Sequence, residues 1–112
     1  MRFGVVVYSN NPGTILNAFS LASHALKEGD KVTVSLLGNG VEIGTLSKEE
    51  GYAGRVVEIE EAMKAFVEAG GQLSASENCL KERGLDIPAL CSLSSIEEMY
   101  SVIKTSDKVV TF

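Results

Sequence analysis

Two apolar runs near the start of the chain, RFGVVVY at residues 2–8 and KVTVSLL at residues 31–37, constrain its fold more than any other feature. Both are valine-rich and nearly continuous in apolar residues, the pattern of a strand covered on both faces, as in a parallel sheet flanked by helices. Parallel neighbours need a crossover connection, and the residues between the runs supply one. Asn11 stands as an N-cap before Pro12 at the first helical position. Ile15, Phe19, Ala22 and Leu26 share one helical face, and Gly29 follows Lys27 as a stop. The opening therefore reads as a βαβ unit.

The rest of the chain continues the alternation. Val56, Ile59, Met63, Phe66 and Val67 fall on one helical stripe, Glu58, Glu61, Lys64 and Glu68 lie off it, and Gly70-Gly71 closes the segment. A short strand, QLSA, follows. Next come a helical turn through Cys79 to Gly84, the irregular LDIPALC, and a further strand near Leu90. The last helix opens at SSIEE, where Ser94 with Glu97, or Ser95 with Glu98, forms a capping-box pattern. Ile96, Met99, Tyr100 and Ile103 are expected as its inward stripe, and KVVTF as the closing strand. The expected fold is α/β: a three-layer sandwich with a mainly parallel sheet of about five strands flanked by helices, in a single domain over residues 1–112. Residues 38–55 have no clear period but carry Val41, Ile43, Leu46 and Tyr52. These side chains need cover, from a subunit contact or from their own domain.

Composition excludes several partner classes. The net charge of −5 argues against nucleic acid or an anionic membrane surface, both of which are held by clustered Lys and Arg. The first residues, MRFGVVVYSN, lack a signal-peptide core, and no segment approaches the ~18 apolar residues of a membrane span. A cytoplasmic location is expected. The two cysteines, Cys79 and Cys91, then read as free thiols rather than a structural bridge.

In open parallel sheets the binding crevice lies beyond the carboxyl ends of the strands. Two segments there carry candidate chemistry. In YSNNPGT, Ser9, Asn10 and Asn11 are candidate ligand-binding residues, because the free N–H groups of a strand-to-helix turn can cradle a small anion. The turn has neither G-x-G-x-x-G nor Gly-Lys-Ser/Thr, and a plain capped helix start is the stronger account of it. In SASENCLKERG, Ser76 as helix cap places Cys79 in the first turn beside Asn78, with Arg83 four residues on along the same face. Helix-dipole help lowers a thiol by only ~0.2 to 0.7 pKa units, so the Arg83 guanidinium must contribute if Cys79 is reactive. The alternative is a small buried hydrophobe. Cys91 has no basic neighbour in sequence and is expected to pack under the Pro88 turn. His24 has no partner at ligand spacing and is expected at the surface, so no metal or cofactor is expected. Residues 42–68 hold seven carboxylates against three basic side chains, which read as a solvated face.

Three stretches carry a family resemblance: VVVYSNNPGTILNAFSLASHALKEGDKVTVSLLGNGVE, GGQLSASENCLKERGL and SIEEMYSVIKTSDKVVTF. Together they resemble the DsrE/DsrF-like family of sulfur-relay proteins over nearly the whole length. The resemblance implies a small cytoplasmic α/β protein that forms a homo-oligomer, a trimer or hexamer, and passes persulfide sulfur between donor and acceptor proteins. With Cys79 as the carrier, Arg83 would stabilise its anion, and Ser76 and Asn78 are candidate ligand-binding residues beside them. One departure stands out. Many relatives carry Cys-x-x-Cys at this helix start, with sulfur on the first position. Here that position is Ser76, whose oxygen cannot form a persulfide. The resemblance therefore leaves two functions open: a persulfide carrier through Cys79, or a non-catalytic oligomeric binding or scaffold protein of the same fold.

Overall fold

The computed structural model describes residues 1–45 and 53–112. Five strands and four α-helices alternate along them. The order is β1 (Arg2–Val7), α1 (Pro12–Lys27), β2 (Lys31–Leu36), a 3₁₀ helix (Gly38–Thr45), α2 (Ala53–Glu68), β3 (Gln72–Ser76), α3 (Glu77–Arg83), β4 (Ser92–Ser94), α4 (Ile96–Thr105) and β5 (Lys108–Thr111). The strands form one sheet in the order β4-β3-β2-β1-β5, and every pair is parallel. The two valine-rich runs are the adjacent strands β1 and β2, with Val5 level with Val34 and Val7 level with Leu36.

The side-chain alternation of the strands splits the sheet into unlike faces. Val5, Val7, Val34, Leu36, Leu73 and Ala75 point into a core shared with α1 and α2. There Phe19 meets Phe66 edge to face, with ring centroids 5.8 Å apart, and both are fully buried. Each such burial stabilises by roughly 1.5 to 3 kcal/mol. The alternate residues, among them Ser35, Ser74, Ser76, Ser92 and Ser94, form a small, hydroxyl-rich face. Among the described residues that face carries only α4, on which Met99 is the buried residue.

Helix ends follow the sequence signals. Asn11 Oδ1 accepts from the Thr14 N–H at 3.1 Å with Pro12 at the first helical position, and Ser95 with Glu98 forms the full capping box. The strand expected near Leu90 is β4, beginning at Ser92.

Two expectations need correction. The stripe Ile96, Met99, Tyr100 and Ile103 is not inward: Met99 is buried, but Ile96, Tyr100 and Ile103 are exposed. Residues 38–45 are not an irregular loop but a 3₁₀ helix, and Val41 and Ile43 fold into their own core instead of offering a subunit contact. Leu46 and Tyr52, the other apolar residues of that stretch, lie outside the described residues.

Candidate thiol site at the strand carboxyl ends

Because β1, β2 and β3 are parallel and in register, their carboxyl ends deliver three connections to one edge of the sheet. β1 leads into residues 8–11, β2 into the 3₁₀ helix, and β3 directly into α3. Ser76 ends β3 and caps α3: its buried hydroxyl accepts from the Cys79 N–H at 3.3 Å. The cap holds Cys79 in the first turn, half-buried against the rim of the core.

The group facing the sulfur comes from the neighbouring connection. The Gly38 N–H donates to Cys79 Sγ at 3.4 Å. Gly38 is left-handed, with φ of +51°, which a glycine adopts without the steric cost of a Cβ. Gly40, one residue beyond Asn39, sits so close to β1 that an added Cβ would clash with the Val7 carbonyl oxygen. The turn that aims the Gly38 amide at the sulfur thus depends on glycine at both positions.

Arg83 closes the cluster from the last turn of α3. Its Nε donates to Glu42 Oε2 at 3.1 Å, one terminal nitrogen to Asn39 Oδ1 at 3.2 Å, and the other to the Cys79 carbonyl at 3.3 Å. Glu82 adds a looser contact at 3.8 Å. The guanidinium hydrogen bonds thus go to the frame around Cys79, not to its sulfur. Glu42 Oε1 accepts from Asn10 Nδ2 at 3.2 Å, which brings the first connection into the same network. Glu42 and Arg83 are both about two-thirds shielded from solvent, at 30% and 27% exposure.

Sequence reasoning placed the remaining candidates with mixed results. Asn10 joins the Cys79 cluster, whereas Ser9 and Asn11 serve the local turn, with Ser9 Oγ accepting from the Asn11 N–H at 2.9 Å. Asn78 is exposed on α3. Three members were missed. Glu42 belonged to an acidic stretch that reads as a solvated face, Asn39 to a stretch without period, and the Gly38 amide is a backbone group with no side-chain signal. Cys91 lies apart, just ahead of β4, with its N–H donating to the Pro88 carbonyl at 3.3 Å. Burial pushes its thiol up to about 12. His24 is exposed on α1, 3.5 Å from Glu28. Among the described residues no three His, Cys, Asp or Glu side chains cluster in a way that could hold a metal.

Comparison with known proteins gives a family and a fold. The family model of the DsrE/DsrF-like family matches residues 1–112. The chain belongs to the DsrE/DsrF-like family. Among solved structures, the ychN protein from E. coli superposes with a TM-score of 0.77 at 19% identity, covering 100% of both chains. A conserved protein of unknown function from Bacteroides thetaiotaomicron gives a TM-score of 0.75 at 12% identity, covering 99% of this chain and 94% of the other. At those identities the likeness establishes this family fold and no more. Among curated proteins none matches. No described helix is long and apolar enough to cross a membrane.

Proposed function

We propose that this DsrE/DsrF-like protein is a sulfur carrier that holds a persulfide on Cys79, working as a homo-oligomer between donor and acceptor proteins. The observation that carries the reading is the backbone N–H of Gly38 aimed at Cys79 Sγ from the adjacent strand connection. A backbone N–H directed at the sulfur fixes its position at the strand ends for thiol exchange.

The reaction conserves electrons. The Cys79 thiolate attacks the outer sulfur of a donor persulfide R–S–SH, the new S–S bond forms as the donor S–S bond breaks, and the donor leaves as thiolate. An acceptor thiolate then attacks the outer sulfur of Cys79–S–SH, and Cys79 departs as thiolate. The Gly38 N–H is directed at the sulfur at both ends of this cycle. Arg83 and Glu42 act as positioning residues that hold the Gly38–Glu42 segment against α3.

A second reading is favoured by Ser76, whose hydroxyl is occupied as a helix cap and leaves α3 with a single thiol at its start. On that reading the protein is a non-catalytic binding or scaffold member. Intact mass spectrometry after incubation with a persulfide donor separates the two. A gain of about 32 Da, mapped to Cys79 and lost in Cys79→Ser, is the carrier result. No adduct on the folded protein, from a donor that persulfidates a control thiol, gives the scaffold reading.

A further inference from the structure

The exposed stripe of α4 is a second surface, separate from the Cys79 cluster. Ile96 and Tyr100 are 61% exposed and Ile103 is 47% exposed, and at i, i+4 and i+7 they form one continuous row. The row continues onto the sheet. A Cβ placed at Gly4 would touch both Ser106, just past α4, and Val109 of β5. Val109, itself 38% exposed, therefore lies on the same side of the sheet as α4. An apolar row of this size on an otherwise acidic chain is a contact surface in need of cover.

The charges at its border select the occupant. Glu97 and Lys104 are seven residues apart and so stand on one flank of the row, one near each end. The Lys104 ammonium is 5.8 Å from the Tyr100 ring centroid, which keeps the positive charge at the rim of the row. A strongly basic or strongly acidic partner would meet one of these charges with its own sign. A copy of the same helix running the opposite way meets both with complementary sign: Glu97 faces Lys104 of the copy and Lys104 faces its Glu97. The same reversal sets Ile96 against Ile103 and brings Tyr100 next to its own counterpart at the centre, where aromatic pairs are favourable. The row contains no carboxylate, so two chains of net charge −5 can meet there without burying like charges.

We infer that α4 is a self-docking surface: two copies of this chain pair through antiparallel α4 helices about a two-fold axis near Tyr100, closed on one flank by two Glu97–Lys104 pairs. The contact is isologous and independent of the cysteine chemistry.

Sedimentation velocity and light scattering over a micromolar concentration series test this. The wild-type chain associates, and Tyr100→Asp raises the dissociation constant at least about tenfold. Both this residue and Ile103, the site of the alternative variant Ile103→Asp, are exposed in the protomer. Circular dichroism should therefore show an unchanged fold for either. Glu97→Lys and Lys104→Glu each turn two attractive pairs into two repulsive ones and weaken association about three- to tenfold. The double reversal Glu97→Lys/Lys104→Glu restores it to within about twofold of wild type. A monomeric wild type, association unmoved by both aspartate variants, or a double reversal no tighter than the single ones would overturn the assignment. None of these results bears on a persulfide adduct at Cys79.

Discussion

The two cysteines occupy similar depths but very different surroundings. Both are half-buried, and both pack against the rim of the same core. Cys79 sits where three parallel strands end and has a backbone N–H directed at its sulfur. Cys91 sits beside the edge strand β4, and burial alone pushes its thiol up to about 12. Burial without a compensating donor suppresses the thiolate. The turns differ as well. The left-handed residue beside Cys79 is Gly38, with φ of +51°, and the one beside Cys91 is Leu90, with φ of +70°. One turn is built from the residue that adopts the conformation freely, and the other tolerates strain.

The comparison breaks most readily at Cys91. With a thiol near 12, its thiolate fraction at pH 8 is on the order of 10⁻⁴. In a Cys79→Ser background, iodoacetamide labelling of Cys91 should therefore accelerate on the order of 10³-fold when the chain is unfolded in urea. Labelling of folded Cys91 at a free-thiol rate would remove the contrast. The same shift has a stability consequence with a definite sign. A thiol raised on folding favours the folded state fully below the ordinary thiol range, and that contribution is lost as pH climbs toward 12. Cys91→Val should give a flatter stability profile than wild type between about pH 9 and 12, measured by urea titration at each pH.

The next largest effect belongs to the Cys79 side. Gly40→Ala drives a Cβ against the Val7 carbonyl oxygen, a backbone atom that cannot rotate away, and should cost about 3 kcal/mol in urea unfolding. Arg83→Ala removes the links to Glu42, Asn39 and the Cys79 carbonyl. Discounted for partial exposure, the loss should be about 1 to 2 kcal/mol, together with severalfold slower alkylation of Cys79. An unchanged alkylation rate would mean that the frame does not position the thiol. The smallest effect sharpens the contrast between the turns. Leu90→Gly should stabilise by about 0.5 to 1 kcal/mol, the left-handed strain relieved less the added freedom of the unfolded chain. A loss of stability there would show that the half-exposed Leu90 side chain packs more tightly than its exposure indicates.

Much of this fold was legible in the sequence because its signals are local. Continuous valine runs mark the central strands, Asn11-Pro12 marks the start of α1, and Ser95 with Glu98 marks the start of α4. The direction of the α4 stripe was not legible. Periodicity shows that Ile96, Tyr100 and Ile103 share a face, but only the sheet beneath the helix decides which way that face looks. The site divides in the same way. Cys79, Ser76 and Arg83 lie on one short helix and could be read together, whereas Glu42, Asn39 and Asn10 arrive from other strand ends and are joined only by parallel registry. The acidic run that contains Glu42 disguised it, since one paired carboxylate looks like its solvated neighbours in sequence.

The contact between Gly38 and Cys79 also determines how this protein can be dissected by mutation. The donor is a peptide N–H, so no side-chain truncation removes it, and an alanine scan of the site would pass over it. Only a change to the chain itself, such as an ester linkage in place of that amide, would delete the hydrogen bond and leave every side chain intact. Side-chain substitutions around the thiol leave the donor in place as long as position 38 keeps its N–H and its left-handed turn.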